Sequence, residues 1–143
     1  EDGSMVNSHV QVPPSGNPVY GGTHGLFSST EDFLKFCKMI LNKGTLNSQR
    51  ILSKNTVEMM TKNQIGKLIG PSRGFGFGFG VLYDTTKDVS PANNGQIYGG
   101  GYFKTHFFID PKEELIGIVM TQKVPSNEDY IIAITQAVYG AID

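Results

Sequence analysis

Few residues in this chain have side chains and spacing suited to chemistry. Lys104-Thr105 follows the three glycines of "IYGGGYFKT" and resembles, at first sight, a piece of a catalytic motif. Gly70-Pro71-Ser72-Arg73-Gly74 matches Gly-x-Ser-x-Gly, the strand-to-helix elbow that holds a nucleophilic serine exposed. Here the motif runs into alternating glycine and phenylalanine, which cannot form a stable helix, and no apolar strand leads into it. The match therefore reads as a Gly/Pro/Ser turn. Glycines 74, 76, 78 and 80 alternate strictly, so they belong to a strand and not to a Gly-x-Gly-x-x-Gly phosphate cradle. His9, His24 and His106 lack the His-x-His or His-x-x-x-His spacing of a metal site. Cys37 is the only cysteine, which excludes an internal disulfide and a cysteine-based zinc centre. No metal and no cofactor is expected.

The elements that must position any site are set by size and pattern. A chain of 143 residues, 38% hydrophobic and 17% charged, suits one domain with a modest core. A net charge of -1 gives no electrostatic reason to expect nucleic acid or an anionic membrane as partner. No apolar run approaches the roughly 18 residues of a membrane span. The opening "EDGSMVNSHV" lacks the basic and apolar regions of a signal peptide, a removed one being left open.

Residues 1–20 hold three of the seven prolines and read as an extended arm or loop. A helix over about 30–43 starts at Ser29 as cap, with Asp32 as capping-box partner, and ends at Gly44. Phe33, Phe36, Cys37, Ile40 and Leu41 form its apolar face, on which Cys37 is a buried, inert thiol. A second helix over about 54–62 is capped by Ser53 and buries Val57 and Met60. Strands are expected at about 74–83, 97–109 and 114–122. In the first, Phe75, Phe77 and Phe79 share one face. The other two pair over 102–109 and 114–121 through the turn "DPKEE". A final helix, about 127–141, is capped by Ser126 and turns Ile131, Ile134 and Val138 inward. The fold class is α+β: an antiparallel sheet, three strands of it in this segment, with flanking helices.

Three stretches, in order, resemble one family. "GGTHGLFSSTEDFLKFCKMILNKGTLNSQRILSKNTVEMMT", "GFGFGFGVLYD" and "YGGGYFKTHFFIDPKEELIGIVMTQ" are similar to successive segments of serine β-lactamase-related proteins. That family includes class C β-lactamases, D-alanyl-D-alanine carboxypeptidases and esterases, and the likeness covers roughly residues 18–122. It implies acyl transfer: a serine in Ser-x-x-Lys attacks a carbonyl with help from a tyrosine in Tyr-x-Asn or Tyr-x-Ser, and water releases the acyl-enzyme. A third motif on a strand edge lines the cleft, and the N–H after it completes the oxyanion hole.

Carried over residue by residue, Tyr98-Gly99-Gly100 falls at the third motif and Gly101 at the oxyanion donor. Glycines fit there because a substrate carbonyl must approach the backbone closely. They fit equally a bulge at a strand start. Tyr98 stands where the family has Trp, His or Lys. Lys104-Thr105 is followed by His106 instead of Gly and reads as a decoy lying too far into the strand.

No serine has lysine three positions on, and no tyrosine has Asn or Ser two positions on. The resemblance therefore implies the C-terminal portion of such a hydrolase, without nucleophile or base and inactive alone. It would be partnered by the missing N-terminal part or by self-association, and would take a β-lactam, peptide or ester substrate. A periplasmic or extracellular location follows from family analogy. A non-catalytic binding module on the same fold is the alternative.

Overall fold

The computed structural model of the chain describes residues 26–122 and 129–142. The arm expected at 1–20 and the expected cap Ser126 lie outside them. The first helix, α1, spans Thr30–Leu41 and begins as its sequence dictates: Ser29 Oγ accepts the Asp32 N–H at 3.2 Å. The Asp32 carboxylate takes Lys35 Nζ at 2.8 Å. The helix stops in a Schellman arrangement, with Lys43 N donating to Ile40 O and Gly44 N to Met39 O. Lys43 and Gly44 both take positive φ, and a Cβ on Gly44 would stand 2.2 Å from Leu52 O.

A small ribbon follows that the sequence pattern did not announce. Strands β1 (Thr45–Leu46) and β2 (Gln49–Arg50) are antiparallel. Asn47 and Ser48 between them have φ of 47° and 65°, the geometry of a type I′ turn. It delivers Ser53 to cap α2, Lys54–Met60, where Ser53 Oγ accepts the Thr56 N–H at 3.0 Å. Of the two residues expected to be buried, Val57 is buried and Met60 half-buried.

The main sheet has five antiparallel strands where three were expected. They run in sequence order: β3 (Arg73–Phe75), β4 (Gly80–Leu82), β5 (Ile97–Gly100), β6 (His106–Asp110) and β7 (Leu115–Val119). The expected strand 74–83 breaks at a tight turn closed by Gly76 N to Phe79 O at 2.8 Å, with Gly78 at φ 92°. The turn cancels the period-two pattern: Phe79 is buried, whereas Phe75 and Phe77 are exposed, so the three do not share a face. The expected strand 97–109 also breaks, because Gly101 N donates to Thr105 O and Lys104 takes φ 62°. Lys104-Thr105 thus sits in a hairpin turn and not within a strand. The predicted pairing of the last two strands holds, with Phe107 opposite Ile118 and Ile109 opposite Ile116.

Alternation along the strands gives the sheet two different faces. On one, Val81, Ile97 and Ile109 join Phe79, Cys37, Met39, Ile40 and Val57 in the main core. Phe33 of α1 meets Phe107 edge-on at 4.9 Å. On the other, Tyr98 and Phe108 face the third helix, α3 (Asp129–Tyr139), where Tyr139 stacks on Phe108 at 6.0 Å. The three residues expected to turn inward on α3, Ile131, Ile134 and Val138, are half-buried, and Thr135, which was not among them, is buried.

Three glycines of the sheet each lie under an aromatic ring. A Cβ on Gly80 would stand 2.5 Å from the Tyr98 ring, on Gly99 2.5 Å from Phe107, and on Gly117 2.2 Å from Phe108. Each glycine and its ring are direct cross-strand partners.

Candidate functional site

The residues that the resemblance assigns to a cleft lie on β5 and the turn after it. Main-chain groups along a strand point alternately to its two neighbours. Gln96 O accepts from Leu82 N at 2.9 Å, which turns the even-numbered positions of β5 toward β4. The β4–β5 ladder ends at the Gly80–Tyr98 pair, so Gly100 lies past it, exposed, with its N–H and C=O on the β4 side. Gly101 is of the opposite parity, and its N–H donates to Thr105 O at 2.9 Å. The N–H expected to serve as oxyanion donor is therefore committed to the hairpin, and the main chain beyond the ladder is that of Gly100. This parity is set by the turn at 101–105, which could not be seen in the glycine run itself.

That turn is anchored from two sides. The Tyr130 hydroxyl of α3 donates to Lys104 O, and Thr121 Oγ1 donates to Phe103 O at 2.7 Å. The glycines leave little room around it: a Cβ on Gly101 would stand 2.5 Å from Thr105 Oγ1. Gly99 is closed on the core side by Phe107.

Tyr98 projects to the α3 side and lines a cleft of about 290 Å³ with Arg73, Gln96, His106, Ile131 and Thr135. Its ring crosses β4 above Gly80 and meets the Arg73 guanidinium, whose carbon stands 5.1 Å from the ring centre. The His106 ring lies 6.4 Å away on the other side. Of the residues assigned to the site, Tyr98 lines this cleft and Gly100 shapes the open strand edge. Gly99 and Gly101 supply clearance.

Two polar clusters support the cleft, and sequence reasoning found neither. Arg73 Nε and Nη2 donate to the two oxygens of Asp88 at 2.6 and 2.8 Å. Ser72 Oγ donates to the same carboxylate at 3.0 Å. The Arg73 hydrogen bonds hold the Asp88 carboxyl well below the ordinary carboxylate range and raise the Arg73 guanidinium in turn. Ser72, the centre of the Gly-x-Ser-x-Gly match, is buried with its hydroxyl given to Asp88, which agrees with a turn and not with an exposed elbow.

In the second cluster Asp110 is fully buried at the end of β6. Its carboxylate accepts from Asn93 N and Nδ2, from the Lys112 and Glu113 amides, and from the Tyr139 hydroxyl. Burial opposes its charge, but these donors outweigh it and hold the carboxyl below its ordinary value. Burial and the adjacent Asp110 push the Tyr139 phenol upward. The Asp-Pro turn was legible as a turn; that its aspartate would hold a helix was not.

Among the described residues no group of three or more His, Cys, Asp or Glu could hold a metal ion, and no helix is long and apolar enough to cross a membrane.

An antiparallel sheet with helices on both faces and a glycine-edged strand beside a cleft defines a serine β-lactamase-like architecture. The Beta-lactamase family model matches residues 2–141, and the chain belongs to that family. Protein Rv1367c of Mycobacterium tuberculosis is 30% identical over 85% of this chain and 32% of its own length. The chain thus spans about a third of the length of the curated relatives it matches. Among solved structures, EstCE1, a hydrolase with promiscuous acyltransferase activity, aligns with TM-score 0.68 and 29% identity over 77% of this chain and 29% of that one. Simvastatin synthase (LovD) from Aspergillus terreus shares the fold with TM-score 0.66 at 19% identity, over 82% of this chain and 36% of its own.

Proposed function

We propose that this chain is the C-terminal part of a serine hydrolase of the β-lactamase-related family. In this reading it supplies one wall of an acyl-transfer cleft, and the nucleophile and base come from polypeptide that precedes it. Tyr98, Gly99, Gly100 and Gly101 form that wall. The observation that carries the reading is β5 itself: the strand that the resemblance assigns to the third motif ends in glycines whose main chain, at Gly100, runs beyond its ladder with β4. A carbonyl oxygen approaching there would meet the Gly100 N–H without a side chain in the way. The likeness to EstCE1, a hydrolase with promiscuous acyltransferase activity, supports acyl transfer, with esters, β-lactams and D-Ala-D-Ala peptides as the substrate class.

The absence of Ser-x-x-Lys and Tyr-x-Asn/Ser from all 143 residues supports inactivity of the chain alone. Purified 143-residue chain and the intact parent protein, each incubated with a chromogenic β-lactam and p-nitrophenyl esters, test the proposal. Turnover is expected from the parent only. Turnover by the short chain that disappears with Ser72→Ala would overturn it. A partner follows from the same reading, either the remainder of the hydrolase or a second copy. Sedimentation showing a compact monomer of the short chain would count against self-association. If the parent itself carries no Ser-x-x-Lys, a binding module on the same fold replaces the hydrolase.

A further inference from the structure

Tyr98 stands at the position the family fills with Trp, His or Lys, and its ring has a defined resting place here. Gly80, its direct partner on β4, removes the side chain that would lift the ring off the sheet. The ring therefore lies across β4 and reaches β3, where the Arg73 guanidinium covers it with its carbon 5.1 Å from the ring centre. That guanidinium is not free to swing. Asp88 grips it through two parallel hydrogen bonds, and Asp88 is itself held by Ser72 Oγ and by the Ser90 N–H at 2.9 Å. The Asp88 side chain is 6% exposed and that of Arg73 39%, so the anchor is buried and the stacking surface reaches the cleft. The loop residues Val89, Ser90 and Pro91 that follow Asp88 line the same cleft as Tyr98.

We infer that Arg73 and Asp88 are positioning residues: they act through Tyr98, holding its ring flat so that the cleft presents a fixed aromatic surface to the substrate's non-reacting part. This rests on the proposed hydrolase reading. The pair touches no reacting atom. It serves recognition, since a guanidinium locked in a carboxylate fork stacks on a ring at smaller entropic cost than a free one. A substrate with an apolar or aromatic acyl group is the class that such a surface favours.

Two measurements test it separately. In the intact protein, Asp88→Asn is expected to raise KM for p-nitrophenyl butyrate about fivefold while kcat stays within about twofold, the pattern of lost ground-state binding. In a Tyr98→Leu background the same substitution should add almost nothing, because the ring through which it acts is gone. Equal effects of Asp88→Asn in both backgrounds, or a fall in kcat that tracks lost thermal stability, would overturn the inference.

The second measurement needs no turnover. The Arg73 Nε–H resonance of the 143-residue chain should carry a ring-current shift that Tyr98→Leu removes and Tyr98→Phe keeps. A resonance unmoved by Tyr98→Leu would refute the stacking. If the parent hydrolyses nothing while this shift is present, the hydrolase reading falls and the clamp stands as a purely structural contact.

Discussion

On the α1 side of the sheet, Ile97, Ile109 and Val81 pack with Cys37, Met39 and Ile40 in one hydrophobic cluster. On the α3 side, Phe108 also receives a helix, but that helix is held at its far end by a phenol on a buried carboxylate. Apolar packing stabilises through area and is indifferent to direction. A network of five hydrogen bonds on Asp110 fixes direction and is costly to leave half-made. The cleft with Tyr98 lies on this second side. The proposed binding surface would need its side chains in set orientations, which the polar network on this face can supply.

Breaking each side in turn gives the largest expected effect. Asp110→Ala leaves Asn93, Tyr139 and two amides without their acceptor and should destabilise the chain by about 3 kcal/mol. Ile40→Ala on the opposite side should cost a similar amount, roughly 2–4 kcal/mol, through a cavity. Urea unfolding as a function of pH separates them. The carboxyls of Asp88 and Asp110 lie below their ordinary value in the folded chain. A depressed carboxyl stabilises fully above the unfolded value of about 4 and loses that contribution as pH falls through its folded value. Stability should therefore be flat between about pH 5 and about pH 8 and fall below about pH 4, and the Asp110→Ala penalty should shrink over that fall. The Ile40→Ala penalty should not change. Equal pH dependence for both substitutions would erase the distinction.

Next in size are the glycines beneath rings. Gly117→Ala on the α3 side and Gly99→Ala on the α1 side each force a Cβ into a phenylalanine ring, at 2.2 and 2.5 Å. Both should cost about 1–3 kcal/mol. Gly117→Ala should in addition loosen α3, read as a fall in near-ultraviolet dichroism from Tyr139, because Phe108 is the ring on which that helix rests.

Tyr139→Phe keeps the stack and removes one donor, for about 1 kcal/mol. A result near zero would mean that Asn93 and the turn amides satisfy Asp110 unaided. The smallest expected signal is chemical: burial raises the Cys37 thiol to about 11, so at pH 8 its labelling should proceed only as fast as the α1 side opens. Labelling much faster than global unfolding would show that this face opens locally.

Much of the fold was legible wherever a single period and a cap agreed. Ser29 and Ser53 cap the helices that follow them, and the Asp-Pro turn joins the strands it was expected to join. The glycine-aromatic stretches misled because glycine serves two purposes there. Gly80 and Gly99 make room for rings inside strands, whereas Gly78 reverses the chain, and one alternating pattern covers both. At the second break the turning residue, Lys104, carries no turn signature of its own.

The site was legible only as a stretch. Resemblance assigned Tyr98 to Gly101 to the proposed site, but which amide points outward depends on strand parity, and parity was fixed by that hidden turn. Arg73 and Asp88 come together across 15 residues of loop and strand that no periodic pattern links.

In the main sheet each strand after β3 is hydrogen-bonded to its immediate predecessor in the chain. Zipping such a meander closes only short loops, so each new strand is added at a small entropic cost and none must wait for a distant segment. The glycine-edged strand can thus take up its shape as the second half of the sheet forms, ready as a template before any residue arriving from elsewhere docks against it.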